Sequence, residues 1–400
     1  MIKILLLIDY SSEFDRKLLR GLVQYSKENG PWLFYRLPSY YSTMHGEQGI
    51  LRWAKEWKAD AIIGQWNNDT IDLQKELNIP VVLQNYHHRS VTYSNLTGDY
   101  KGTGRMAAQF FAKRMFRNFA YFGVKGVVWS DERCEGYRQE VKRIGGEFFS
   151  FESDKQEDEI RMEVSQWLQQ LPKPVALFCC DDAHALFISE TCKMTNIPIP
   201  EEIALLGVDN DELMCNISDP PISSIELEVE RGGYSIGRLI HQQIKKEHEG
   251  TFNIVINPIR IELRQSTEKH NIKDPYILEV VKYIDAHYSS DLTIESLLAN
   301  IPLSRRNFEV KFKNALNTSI YQYILNCRCN HLADLLLTTD RPLADLAMEV
   351  GFTDYNNIAR IFKKFKGCSP IEYRQKKTRQ RYKKAYPQRI GIDSFSRGLL

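Results

Sequence analysis

Two short helices joined by a glycine turn are predicted by the stretch PLADLAMEVGFTDYNNIARIFKKFKGCSPIEYR, residues 342–374. Pro342 leads into the first helix, and Gly351 stands where a turn would follow it. Thr353 is placed to cap a second helix that we expect to run to about Lys366. Apolar residues of this second helix recur at helical spacing, and its polar and basic residues lie on the other face. The stretch therefore predicts a helix-turn-helix unit.

The same pattern occurs about 49 residues earlier. A helix opens at Thr293 and runs to about Asn300, and Ser304 is placed to cap the next helix at 305–316. Between the two units, residues 320–337 form one helical pattern, which at 1.5 Å per residue spans about 27 Å. If the second helix of each unit lies about one DNA turn, roughly 34 Å, from the other, the two helices can enter successive major grooves.

These motifs identify residues 275–374 as similar to the AraC family of DNA-binding domains, with Ser304–Phe308 opening the first recognition helix. The resemblance implies a transcription regulator that binds double-stranded operator DNA. A helical bundle with merely solvated basic residues is the alternative, but it does not explain a doubled motif with two caps. Val310 departs from the basic residue that some members carry. The family's base-contacting positions and the basic residues beside them are Arg305, Arg306, Glu309, Val310, Tyr355, Asn356, Asn357, Ala359, Arg360 and Lys363.

The first 266 residues follow a different pattern, in which short apolar runs alternate with amphipathic stretches. Strands separated by helices imply parallel sheets covered on both faces, with binding loops at the carboxyl ends of the strands. Two series of strands, at 2–85 and 118–208, indicate two α/β lobes with a ligand cleft between them. Helices are expected at 100–117, 131–144, 157–171, 182–195 and 229–246.

The domain order follows from these two patterns and from the polar stretch before Pro275. We expect a two-lobed α/β domain at 1–266, a linker at 267–274, an all-α double helix-turn-helix domain at 275–375 and a basic tail at 376–400. The tail has seven basic residues and no acid between 376 and 389. It is either a solubilising end or a nonspecific phosphate contact.

Charge is segregated between the two halves, although the chain as a whole carries only +2. Residues 273–400 hold 21 Lys and Arg against 13 Asp and Glu, net +8, which leaves 32 against 38, net −6, for residues 1–272. A basic end on an acidic body suggests that the end meets a polyanion. The eight cysteines do not form a dense disulfide framework. With no membrane-spanning run, we expect a cytoplasmic protein.

A second resemblance concerns the first domain. The segment Leu205–Glu212, and Asp181-Asp182-Ala183 after a buried strand, are similar to the periplasmic-binding-protein-like sensors of LacI-type repressors. Such a sensor joined to an AraC-type domain resembles the bacterial xylose-operon activators. That resemblance implies a sugar effector, with D-xylose the expected one, a homodimer, and RNA polymerase as a partner. The alternatives are another pentose or related carbohydrate as effector, and a sugar-processing enzyme.

Residues suited to binding a sugar cluster at the predicted strand ends. Carboxylate, amide and guanidinium groups pair with vicinal hydroxyls, and aromatic rings cover the apolar faces of a sugar. Helix capping is the structural alternative for each acid, and a place in the core is the alternative for each Trp. The candidates are Asp9, Phe14, Asp15, Arg16, Gln65, Trp66, Trp129, Arg133, Glu135, Asp181, Asp182, Asp209 and Asn210.

Other motifs do not predict chemistry. The sequence Gly233-Tyr234-Ser235-Ile236-Gly237 matches the hydrolase pattern G-x-S-x-G, but Ile225–Arg231 before it is charge-rich, and we expect its glycines to allow close helix packing. His87-His88 and the pair Cys327 and Cys329 lack a second pair at zinc spacing. We therefore expect no catalytic residue, no metal site and no cofactor.

Overall fold

The computed structural model describes residues 1–8, 11–37, 39–66, 71–84, 87–248, 250–268, 272, 274–299, 301–316, 318–339, 341–352 and 355–374, and all of their side chains except those of 39–44, 334, 337, 338, 355 and 356. The chain divides into two compact units, Met1–Lys269 and His270–Leu400. Within the described residues, no helix is long and apolar enough to cross a membrane.

The first unit contains two six-stranded sheets, one in each lobe. The first sheet is entirely parallel and has the order β11-β5-β4-β3-β1-β2. The second has the order β12-β10-β9-β8-β6-β7, and only β12 is antiparallel to its neighbour. The strands are β1 Ile2–Leu7, β2 Trp32–Arg36, β3 Ala61–Gly64, β4 Val81–Leu83, β5 Ser94–Gly98, β6 Asn118–Val124, β7 Glu147–Ser153, β8 Val175–Cys179, β9 Ile203–Val208, β10 Ser223–Leu227, β11 Asn253–Ile256 and β12 Pro258–Glu262.

Helices flank both sheets, and the chain passes between the lobes after β5, after β10 and between β11 and β12. Helix α1 packs against α9 in the first lobe, and α4 packs against α5 in the second. The prediction of a two-lobed α/β domain is confirmed. The helices are α1 Glu13–Asn29, α2 Ser39–Trp57 with a break at Gly46, α3 Leu73–Leu77, α4 Tyr100–Lys113, α5 Val128–Arg143, α6 Glu157–Gln170, α7 Asp182–Met194, α8 Glu212–Ile217 and α9 Val229–Ile244.

The second unit is helical in its described part, as predicted. Phe308, Phe312 and Leu316 are buried on one face of α12, and Ile358 and Phe362 are buried on α15. The first helix of the earlier helix-turn-helix motif, α11, ends at Leu298, slightly before the expected end. The helices are α10 Pro275–His287, α11 Ile294–Leu298, α12 Arg305–Leu316, α13 Ile320–Thr338, α14 Leu343–Glu349 and α15 Tyr355–Lys366.

One assumption about the G-x-S-x-G motif is wrong. A buried strand, β10, does precede it, with Ile225 fully buried. Ser235, however, lies inside α9 rather than on a strand-to-helix turn, and its hydroxyl donates to the carbonyl of Arg231 at 2.9 Å. A Cβ at Gly233 would overlap the backbone oxygen of Leu18 on α1. The motif therefore allows two helix backbones to approach closely.

This contact yields a stability prediction. Gly233→Ala should lower the free energy of unfolding by about 1–3 kcal/mol, because the added methyl group forces the α1 and α9 backbones apart. Ser235→Ala in the same helix is the control and should change stability by less than about 0.5 kcal/mol. Urea unfolding of the full chain measures both. Equal stability of Gly233→Ala and the parent would contradict the close packing.

Candidate functional site

The site begins with a strained turn after β9. Asp209 and Asn210 both have positive φ, at +100° and +49°. Asp182, which is 2% exposed, holds this turn: its carboxylate accepts from the backbone N–H of Asp211 at 2.8 Å and from the hydroxyl of Ser224 at 2.6 Å. Burial, followed by the nearby Asp209 charge, raises the pKa of Asp182 well above its ordinary value. Asp182 thus fixes the backbone that presents Asp209.

Arg133 on α5 faces this turn and is 3% exposed. Its Nη1 donates to the carbonyl oxygen of Cys180 after β8, and its Nη2 lies 3.7 Å from Oδ1 of Asp209. The guanidinium carbon lies 5.5 Å from the ring centre of Tyr100 and 5.4 Å from that of Trp129. A buried guanidinium is therefore held between one carbonyl, one carboxylate and two aromatic rings.

Two polar atoms of this pair lack a hydrogen-bond partner within the described part of the chain: Nε of Arg133 and Oδ1 of Asp209. Unpaired buried polar atoms cost free energy unless a ligand or water satisfies them. Burial raises the pKa of Asp209 to about 6, although Arg133 opposes the shift. The Asp209 side chain keeps 20% exposure. A donor and an acceptor beside two aromatic rings suit a ligand with hydroxyl groups and an apolar face.

Side chains from the first lobe reach across to the same turn. Lys17 on α1 donates from Nζ to the carbonyl of Asp209 at 2.7 Å, and Arg16 pairs with Asp211 at 3.3 Å. A second pair joins the lobes elsewhere, where Arg89 contacts both carboxylate oxygens of Glu132 at 2.6 and 2.8 Å. These contacts link the two lobes, so a ligand that changes the lobe separation must stretch or replace them.

Several predicted residues have structural contacts instead. Asp181 caps α7, accepting from the backbone N–H of His184 at 2.8 Å. The side-chain oxygen of Asn210 accepts from Arg264 at 2.8 Å. Glu135 pairs with Gln139 and Arg138 on a solvent-facing part of α5 and does not join the Arg133 cluster.

The predicted residues of the first lobe are more dispersed. Trp66 is 5% exposed, and its indole N–H donates to the carbonyl of Ile71 at 3.2 Å. Asp15 is buried, and Phe14 packs against the core. Gln65 follows β3 and is half-buried. Asp9 lies outside the described residues.

Three groups of this site were not among the predicted residues: Lys17, Tyr100 and the Arg89–Glu132 pair. Tyr100 begins α4 at the first crossover between the lobes. Tyr100 could be placed at this crossover only if the strand before it, β5, were recognised in the sequence. Because β5 is short and polar, its sequence does not indicate a strand. Lys17 could not have been found, because its partner lies 192 residues away.

A second candidate surface lies on α12 and α15. Arg306 on α12 and Ala359, Arg360 and Lys363 on α15 are exposed, and Val310 is 51% exposed. Arg305 forms surface ion pairs with Glu295 at 2.7 Å and Glu309 at 3.1 Å. Such exposed pairs are weak, so these groups can exchange partners. Asn357 is half-buried, and the side chains of Tyr355 and Asn356 lie outside the described ones.

Comparisons with known proteins agree with both domains. Residues 108–267 match the periplasmic binding protein-like domain, and residues 297–376 match a helix-turn-helix domain. The xylose operon regulatory protein of Escherichia coli is 24% identical over 93% of this chain and 96% of its own length. That of Haemophilus influenzae is also 24% identical, over 93% and 98%.

Solved structures share the fold. The structure of a xylose-binding transcription activator superposes with a TM-score of 0.58 at 22% identity, covering 93% of this chain and 97% of that one. A LacI-type regulator from Alkaliphilus metalliredigens, complexed with D-xylulofuranose, superposes with a TM-score of 0.53 at 16% identity, covering 66% and 98%. The prediction of a transcription regulator rather than an enzyme is confirmed.

The raised pKa of Asp209 yields a pH-dependent prediction. Because the folded-state pKa is about 6 against an ordinary value of 3.8, the folded protein loses stability from this group as the pH rises from about 4 to about 6. Without ligand at pH 7, Asp209→Asn should therefore be more stable than the parent by about 1–3 kcal/mol. The difference should shrink towards pH 4, where the parent's Asp209 is protonated.

Urea unfolding of the full chain at several pH values measures this difference. Glu135→Gln, at a solvent-facing carboxylate of α5, is the matched control and should follow the parent at each pH. A destabilised Asp209→Asn, or a difference independent of pH, would show that Asp209 is an ordinary structural carboxylate.

Proposed function

We propose that this chain, a transcription regulator with a periplasmic-binding-protein-like domain and a helix-turn-helix domain, is a D-xylose-dependent activator of pentose catabolic genes. We further propose that it acts in the cytoplasm as a homodimer and recruits RNA polymerase. The main support is the pair Arg133 and Asp209. Nε of Arg133 is a donor and Oδ1 of Asp209 an acceptor without a hydrogen-bond partner among the described residues, and the rings of Tyr100 and Trp129 lie beside the guanidinium. The names of the relatives aligned over 93% of the chain support xylose as the effector.

The proposed mechanism is that hydroxyl groups of the bound sugar change the contacts between the two lobes. A hydroxyl that donates to Asp209 and another that accepts from Arg133 would satisfy both buried atoms in the second lobe. Lys17 and Arg16 of the first lobe already contact the same turn, so a ligand that binds there alters the contacts that hold the lobes together. A ligand can shift a conformational equilibrium only by binding the two states unequally, and this turn is where the unequal contacts would arise.

A second candidate effector is another pentose. Fold neighbours were solved with D-xylulofuranose and with ribose, so the same architecture accommodates sugars of this size. Both alternatives use the same side chains, and a titration with several sugars separates them.

The effector proposal predicts a loss of binding at one residue. D-xylose should raise the melting temperature of the full chain, since binding to the folded state alone adds RT ln(1 + [L]/Kd). Asp209→Ala should abolish that rise, because removal of a charged acceptor costs about 1.5–3 kcal/mol of binding free energy. Glu135→Gln should titrate like the parent. A rise with D-ribose but not with D-xylose would replace the proposed effector, and an unchanged response of Asp209→Ala would remove Asp209 from the site.

The DNA-binding proposal predicts a sequence-dependent loss at Arg360. Arg360→Ala should weaken binding to operator DNA by about 1–3 kcal/mol, with little effect on random DNA, because an arginine on an exposed recognition helix can pair with both acceptors of guanine. Arg360→Lys keeps the charge without the two-pronged geometry, and it should therefore also lose sequence preference. Fluorescence anisotropy with both DNAs measures this. Equal weakening on operator and random DNA would make Arg360 a phosphate contact.

A further inference from the structure

Three side chains able to bind a metal meet where β8 ends and α7 begins. Cys180 follows the strand, Asp181 is the capping residue, and His184 lies in the first turn of the helix. One ligand atom from each lies within 4.8 Å of the others. Within the described part of the chain, this is the one group of three or more His, Cys, Asp and Glu side chains that meets this criterion.

The spacing suits a tetrahedral ion. With zinc bond lengths of about 2.3 Å to sulfur and 2.0–2.2 Å to nitrogen and oxygen, neighbouring ligand atoms in a tetrahedral shell lie about 3.3–3.8 Å apart. The observed limit of 4.8 Å is wider than this spacing, so the side chains would have to close on the ion as it binds. The three ligands come from one strand end and one helical turn, so the backbone needs no rearrangement.

Asp181 and His184 already bring two possible ligand atoms together. Nδ1 of His184 lies 2.7 Å from Oδ1 of Asp181, and both side chains are 20% exposed. For both groups to be ligands, the ion takes the place of the proton between them and joins the imidazole nitrogen and the carboxylate oxygen directly. The partial exposure gives an ion access to the site from solvent.

The surroundings hold the cysteine rigidly. Cys180 is fully buried, its backbone N–H donates to the carbonyl of Phe122 at 2.9 Å, and its own carbonyl accepts from Arg133. The ring centre of His184 lies 6.0 Å from that of Phe122, which closes one side of the cluster. Glu157, at the start of α6, is half-buried and within electrostatic range of His184 and Asp181. A carboxylate there adds negative charge that favours a cation.

We propose that Cys180, Asp181 and His184 form a binding site for a thiophilic divalent cation, with zinc the best chemical match. A thiolate combined with an imidazole selects zinc over magnesium or calcium, which prefer oxygen ligands. Three protein ligands leave the fourth position to water. The thiol loses its proton on binding. Because Arg133 holds the carbonyl of Cys180, the ion would stiffen the strand end beside the proposed sugar site.

Cobalt(II) titration of the full chain, reduced and free of metal, is the test. A thiolate ligand gives a sulfur-to-cobalt charge-transfer band in the near ultraviolet, and tetrahedral coordination gives intense visible bands. We expect one equivalent to bind and one equivalent of zinc to displace it. Cys180→Ala should lose the charge-transfer band, and His184→Gln should weaken cobalt binding at least tenfold. Cys327→Ser, in the second unit, is the matched control and should keep the full spectrum.

A further variant, Asp181→Asn, and circular dichroism of every variant distinguish loss of a ligand from loss of the fold. Asp181→Asn keeps an oxygen to cap α7 but carries no charge, so it should weaken cobalt binding while the circular dichroism spectrum stays that of the parent. No cobalt binding to the parent, or a charge-transfer band that persists in Cys180→Ala, would overturn the proposal. Undiminished binding to folded His184→Gln or Asp181→Asn would also overturn it.

Discussion

The architecture of the first unit depends on burying the guanidinium of Arg133. A buried charge is tolerated only where carbonyls and opposite charges surround it. Here the carbonyl of Cys180 and the carboxylate of Asp209 come from the ends of the neighbouring strands β8 and β9. The parallel order of the second sheet therefore brings both partners to the same edge, where α5 presents the arginine.

The support behind Asp209 has a cost in stability. Asp182 is buried to hold the turn through Asp211 and Ser224, and Asp209 stands close to it with a raised pKa. Like charges in a poorly hydrated place disfavour ionisation. A ligand hydroxyl that donates to Asp209 would offset this cost, which is why we propose the turn as the place where the effector binds. Sites of this kind trade stability for function.

Much of the fold could be predicted from periodicity alone, because each helix-turn-helix unit and most parallel strands carry their signal within a few residues. The strands β5 and β10 are short and rich in polar residues, so their burial depends on neighbours far away in sequence. Within the site, type and spacing identified Arg133 and Asp209 but could not separate Asp209 from Asp182. Asp182 is the structural one of the two because it accepts a hydrogen bond from the hydroxyl of Ser224, 42 residues further along the chain. Glu135 differs from Arg133 only by its direction on α5.

Operator affinity of the full chain, measured with and without saturating D-xylose, tests most directly whether the cleft controls the DNA-binding helices. Coupling between two binding sites is reciprocal, so operator DNA must change the affinity for D-xylose by the same factor. We expect D-xylose to tighten operator binding, operator to tighten D-xylose binding equally, and the isolated 275–400 fragment to bind weakly and ignore the sugar. An operator affinity of the full chain that does not change with D-xylose bound would contradict a sensor that acts on its DNA-binding domain.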